Sequence, residues 1–320
     1  MDLLAPVRAF DRFQQRHPPL AIPLAVVRKF ADDGAGSHSA LIAYYGFVAI
    51  FPLLLLFTTI LGFVLQGNPD AQKAIIDSAV SELPVIGNQV KSQTLSGSGL
   101  ALAIGIVGTL LSGLGVTVTA QNAFNTVYAI PHKRRPDFFM TRVRGLGVLV
   151  ALGLLQIVST AVSGLAGGGL GGHWTLIGGL VLSLAVNGLL FLTVFRLLTN
   201  ASVGWREIVP GIVSATILWT ALQALGGVYV AHVVKGASET YGTFATVIGL
   251  IAWLYLGARF VVLSAELNTV LARRLWPRSL LAPPVLDADH RALEALARTE
   301  ERSDEQHIEV TFRDPEEPSS

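Results

Sequence analysis

The chain has 320 residues, 52% of them hydrophobic and 14% charged, with a formal net charge of +1. Soluble domains carry about 25% charged residues; here the few charges sit in short blocks between long apolar runs, which excludes an ordinary soluble globule and gives the layout of a polytopic membrane protein. The absence of cysteine excludes disulfides, zinc–thiolate sites and thiol catalysis.

The N-terminal segment, residues 1–38, holds no apolar run ahead of residue 39, so the first span itself is expected to direct insertion. Its stretch PPLAIPLAVVRKFADDGAG predicts an interfacial amphipathic helix on the inner membrane face. Asp32, Asp33 and His38 follow at its end. One reading is a helix cap with interfacial polar groups. The other is a proton- or ligand-handling cluster at the inner mouth of a cavity, a role that suits a near-neutral imidazole.

A hydrocarbon core about 30 Å thick needs ~20 apolar residues as helix. Six runs meet that length, near 39–65, 99–120, 143–166, 175–198, 208–230 and 243–270. They predict an all-α membrane protein, a bundle of six transmembrane helices. Pro52 lies inside the first run and is expected to kink it. Pro210 lies at the start of the fifth, where proline is tolerated.

Between the first two spans, residues 66–97 include DAQKAIIDSAVSEL, whose apolar positions recur at helical spacing. This predicts an amphipathic helix on the outer membrane face. In the second span Ala101, Gly105, Thr109, Gly113 and Thr117 recur every fourth residue, and Gln121 and Asn125 continue the row. A ridge of small residues lets a neighbouring backbone approach closely. Its polar end, with Gln121, Asn122 and Asn125, reads either as packing or as the lining of a cavity. Gly179, Ser183 and Asn187 form a shorter ridge on the fourth span. Asn187 reads equally as an interhelical hydrogen bond or as part of a polar pathway.

The connection PHKRRPDFFMTRVR, residues 131–144, is basic with interleaved aromatics. That pattern occurs in RNA-binding segments. Positive-inside bias and anionic lipid headgroups account for the same charge without nucleic acid. Across all connections the flanking Lys and Arg alternate, 15 on one side against 3 on the other. The positive-inside rule then puts both termini in the cytoplasm. The domain of spans covers residues 39–276. The tail, 277–320, holds 11 Asp and Glu against 5 Lys and Arg and predicts a mostly disordered cytoplasmic segment, with a short helix allowed around Asp289–Arg302.

The last span carries two opposite charges, Arg259 and Glu266, in an otherwise apolar stretch. Seven positions make two turns and about 10 Å of rise, so the two share a face but lie too far apart for an i,i+4 pair. Helical side chains lean toward the N-terminus, which points Arg259 back into the bilayer. Its partner is then Asp33, a carbonyl of the first span, or a lipid phosphate. Ionisable groups inside a membrane are functional candidates. The alternative is an interfacial anchor, with Glu266 bonded to a neighbouring helix. The motifs of zincins, P-loops and nucleophile elbows are absent from the sequence, so no enzyme, cofactor or metal is expected.

Four stretches resemble the YihY/virulence factor BrkB family of inner-membrane proteins, formerly called ribonuclease BN. They are SHSALIAYYGFVAIFPLLLL (37–56), QNAFNTVYAIPHKRRP (121–136), VGWREIVPGIVSATILW (203–219) and TYGTFATVIGLIAWLYLGARFVVLSAELN (240–268). Ser264 stands where that family's closing motif is expected to carry glycine. The resemblance implies six spans in a bacterial inner membrane and the transport or translocation of a lipid, an envelope component or a small solute. Membrane lipids are the expected partners. The candidate substrate-contact or polar-pathway residues are Asp33, His38, Tyr44, Tyr45, Asn122, Asn125, Asn187, Arg259, Glu266 and Asn268. A structural or scaffolding role acting through the acidic tail is the alternative, and a membrane-bound tRNA-processing ribonuclease is a third reading.

Overall fold

The structure, a computed structural model, describes residues 4–64, 99–166, 173–200, 203–229, 243–281 and 285–312. All regular structure among them is helical. Two short helices lead in, α1 (Ala5–Gln15) and α2 (Pro18–Asp32). Six long ones follow: α3 (Ala35–Val64), α4 (Gly99–Val127), α5 (Phe138–Ala166), α6 (His173–Leu198), α7 (Trp205–Tyr229) and α8 (Thr243–Ala272). A terminal helix, α9, spans Asp287–Arg298. The helices α3 to α8 are the six that are long and apolar enough to cross a membrane. The helix expected in 66–97 lies outside the described residues.

Each long helix falls where a sequence run predicts a span, with shifted ends. α4 runs on to Val127, beyond the apolar run, because its polar end is packed rather than solvated. Gln121, Ala123, Phe124, Asn125 and Val127 are all buried there. Pro52 lies inside α3, which continues through it to Val64. On the small ridge of α4, Gly105 lies against the backbone of Leu56 in α3, and Gly113 against Leu149 of α5. Close approach of backbones is what such residues permit between membrane helices.

The core is concentrated at one end of the bundle. There Phe124 meets Phe195 edge to face, with ring centroids 5.1 Å apart, and Phe191 meets Trp219 at 6.2 Å. Val262 and Ala265 of α8 are fully buried in the same cluster, along with Phe30 of α2. α8 packs against α7, α3 and α2. A six-helix bundle in lipid needs little apolar burial at its periphery, so Leu100, Leu111, Leu154 and Ile217 face outward.

Both terminal segments sit at this same end. α1 turns Leu4, Val7, Phe10 and Phe13 outward and buries Asp11 and Gln14 instead. The inversion has a partner: Gln14 donates to the carbonyl oxygen of Arg278 at 2.8 Å, and Asp11 accepts from the Leu280 amide at 3.1 Å. Arg278 lies between Asp32, at 2.7 Å, and Asp289. Composition reads residues 277–320 as mostly disordered, whereas 277–281 and 285–312 are structured and docked. The reason is long-range pairing. Arg278 and Asp289 satisfy each other in a buried site, and Ser279 and Leu286 donate to the same carboxylate. Burial alone would raise the Asp289 carboxyl, but the bonds from Arg278, Ser279 and Leu286 outweigh it and hold its pKa below the usual value.

Candidate functional site

The polar centre of the molecule lies where α2, α4, α7 and α8 meet. α2 is an apolar helix with one buried cation, Lys29, and Asp33 follows it at i+4 spacing. Lys29 is 4% exposed and uses all three of its donors. Its ammonium group bonds Glu266 at 2.8 Å, Asp33 at 2.5 Å and the Val127 carbonyl oxygen at 2.9 Å. Burial works against a charged Lys29, but the carboxylates of Glu266 and Asp33 outweigh it and hold its pKa above the usual lysine value. Asp33 is pushed up by burial, an effect Lys29 offsets only in part. One cation therefore faces two carboxylates, and Glu266 is fully buried with Oε1 unpartnered.

Two residues further along α8, Asn268 ties α8 to α7 and to the residue just past the end of α4. Its amide donates to the Tyr128 hydroxyl at 3.0 Å, and its oxygen accepts the Gly211 amide at 2.6 Å. Gly211, the residue after Pro210 in α7, gives its N–H to this side chain of α8. A Cβ on Gly211 would collide with the Asn268 amide and the Ser264 carbonyl oxygen, so only glycine admits this approach. Thr269 donates to the Val127 carbonyl oxygen at 3.2 Å, and Arg273 to that of Tyr128 at 2.6 Å. Ser264 bonds the Ser214 hydroxyl of α7 at 3.2 Å.

Of the sequence candidates, Asp33, Glu266 and Asn268 thus gather in one seam. Asn125 lies nearby and accepts from Asn200 at 2.7 Å. Asn187 stands apart, bridging α6 to Thr220 and Gln223 of α7 at 3.3 Å each. Asn122 is exposed, and His38 is half-buried. Tyr44 and Tyr45 are exposed on α3, where Tyr45 covers Gly115 of α4. Lys29, Tyr128 and Thr269 were not singled out in the sequence. The signal for Lys29 was present, a Lys–Asp pair at i,i+4 in an apolar helix, but it also reads as ordinary positive-inside charge.

Arg259 is not part of the seam. It is exposed, and its guanidinium carbon lies 5.3 Å from the centre of the Phe30 ring. Asp33 is engaged by Lys29, and no described residue gives Arg259 an ion pair or hydrogen bond. Beside it runs an apolar groove of about 460 Å³ between α3 and α8. Ala40 and Ala43 form one wall, and Ile248, Ile251, Ala252 and Tyr255 the other. Gly36 ties the two features together, since a Cβ there would lie 3.8 Å from the Phe30 ring and 3.9 Å from the Tyr255 hydroxyl. Arg259 is one turn beyond Tyr255 on α8, past that end of the groove. Among the described residues, no three His, Asp or Glu side chains come together to hold a metal ion.

Six apolar helices of membrane-spanning length, a buried ionic seam at one end and a groove facing outward define a multi-pass helical membrane protein. The chain belongs to the virulence factor BrkB family, whose model matches residues 26–285. It is 27% identical over 255 residues to the ribonuclease-like protein YfkH of Bacillus subtilis, covering 74% of this chain and 90% of that one. It is 26% identical over 273 residues to a UPF0761 membrane protein of Pseudomonas paraeruginosa, covering 82% of this chain and 65% of the relative. Inner membrane protein YhjD of Escherichia coli is 24% identical over 275 residues, covering 78% and 81% respectively. No solved structure matches the chain.

Proposed function

We propose that the protein is an inner-membrane carrier, not an enzyme, and that it translocates an anionic amphipathic molecule of the lipid class. The observation that carries this reading is Arg259, an exposed cation with no ion pair to any described residue, one turn past an apolar groove on the lipid-facing surface. A guanidinium stays charged at any accessible pH and matches phosphate oxygens in a fork. The groove from Ile248 to Tyr255 offers about 10 Å of apolar wall along the helix, enough for part of an acyl chain. A lipid with its phosphate on Arg259 and a chain along α8 satisfies both features at once.

The basic connections and both terminal segments gather at the Arg259 end of the bundle, and the positive-inside rule makes this the cytoplasmic end. In this reading the seam of Lys29, Asp33, Glu266 and Asn268 is a brace. It fixes α8 against α2, α4 and α7, so that the α3–α8 face can bind and release cargo.

The test is the lipid that accompanies the protein through gentle purification, measured by mass spectrometry. Wild type is expected to retain anionic phospholipid. Arg259→Gln should lose it, and Ala252→Trp, which fills the groove, should lose it as well. Equal retention by all three would overturn the assignment.

A further inference from the structure

A second feature lies away from the groove, at the seam between the basic loop, the end of α8 and the tail. A cavity of about 390 Å³ opens there. Lys133, Arg134, Arg273 and Arg298 line it, with Glu301 and His307. Four fixed positive charges stand against Glu301 in the lining and against Glu294, which pairs with Arg298 at 2.6 Å, leaving an excess of two with His307 counted as neutral.

The cavity is built, not incidental. The His132 amide donates to the Thr299 carbonyl oxygen at 3.0 Å, and the Lys133 amide to that of Glu301 at 2.9 Å. These bonds fasten the loop to the segment after α9. The single carboxylate is already committed: Glu301 is buried and pairs with Lys133 at 2.9 Å, while its other oxygen accepts the Ile308 amide at 3.2 Å. His307 lies 3.5 Å from that same oxygen. Arg273 spends one nitrogen on the Tyr128 carbonyl oxygen, and Arg298 pairs with the exposed Glu294. Arg134 has no ion pair or hydrogen bond from its side chain to any described residue. Two guanidinium groups, those of Arg134 and Arg273, are thus left with donors to spend around a space whose own carboxylate is occupied.

We infer that this cavity binds a phosphate-bearing anion, held chiefly by Arg134 and Arg273. Arginine forks suit phosphate oxygens, and a multiply charged phosphate group matches the charge excess. The volume falls in the range of small-ligand sites, roughly 300–1,000 Å³. The site depends on the tail. Arg298, Glu301 and His307 lie beyond residue 285, where the family match ends, and the cavity does not rest on the carrier reading.

The phosphate could belong to a soluble compound or to a lipid headgroup, and two arms separate these sources. In the first, full-length protein in neutral detergent is titrated with inorganic pyrophosphate by calorimetry. In the second, the protein in nanodiscs with and without phosphatidic acid is compared by thermal melting. Binding of pyrophosphate that Arg134→Gln weakens by about tenfold or more, with the melting temperature unchanged, supports the site with a soluble ligand. A melting shift seen only with phosphatidic acid, and lost in Arg134→Gln, supports it with a lipid source. Arg142→Gln, whose guanidinium stacks on Phe138 away from the cavity, should change neither result. No binding in either arm, or binding that Arg134→Gln leaves intact, would overturn the inference.

Discussion

Lys29 and Glu266 lie 237 residues apart in the chain and meet at 2.8 Å with both side chains buried. The contact joins a short helix ahead of the first span to the last span. It also sets an imbalance, since Lys29 is shared with Asp33. Removing one partner from a buried ion pair costs about 3–5 kcal/mol, because the other is stranded. Lys29→Met strands two carboxylates and should incur at least that loss. Glu266→Gln leaves Lys29 balanced by Asp33 and should cost much less. Chemical denaturation in detergent measures both. Equal losses would show that the seam is not organised around Lys29. A well-folded Glu266→Gln protein devoid of transport would instead make Glu266 part of the mechanism, as the sequence allowed.

Gly211→Ala tests the α7–α8 approach separately. The added methyl meets the Ser264 carbonyl oxygen and the Asn268 amide, so the helices must part and the Gly211–Asn268 bond must lengthen. Overpacking of this kind costs about 1–3 kcal/mol. A lower melting temperature is expected, with the Tyr128 hydroxyl also losing its donor. An unchanged melting temperature would mean that the helices have room to spare.

Docking of the tail should depend on acid pH through Asp289. Its folded pKa is depressed, so its contribution to docking is present above the unfolded value of about 3.9 and is lost as pH falls from there toward the folded value. Hydrogen exchange across α9 should be constant from neutral pH down to about 4, after correction for intrinsic rates, and should rise below it. Asp289→Asn should expose α9 already at neutral pH and remove the acid transition. Full protection of α9 in that variant would dismiss the Arg278–Asp289 contact as the tail's anchor.

The bundle was legible in the sequence because span length and hydropathy act locally. A run of some 20 apolar residues needs no partner to be recognised. The seam was legible only by half. Asp33, Glu266 and Asn268 stood out as polar residues in apolar surroundings, yet the cation that joins two of them sat among interfacial charges and looked ordinary. The tail was the hardest to read. Its composition is that of a solvated chain, and what orders it is a set of single contacts to Asp11, Gln14, Asp32 and Lys133, each far away in sequence. Arg259 was legible as an oddity, but the structure supplies the groove that gives its position a use.

Lipid movement in reconstituted vesicles tests the carrier reading most directly. Purified protein is inserted into vesicles that carry a fluorescent anionic phospholipid, and its movement between leaflets is followed by chemical quenching. Wild type should accelerate the exchange over empty vesicles. Arg259→Gln, folded and inserted to the same extent, should fall by about tenfold or more, as loss of a charge-assisted bidentate contact implies. Wild-type vesicles no faster than empty ones, or Arg259→Gln as fast as wild type, would contradict the account.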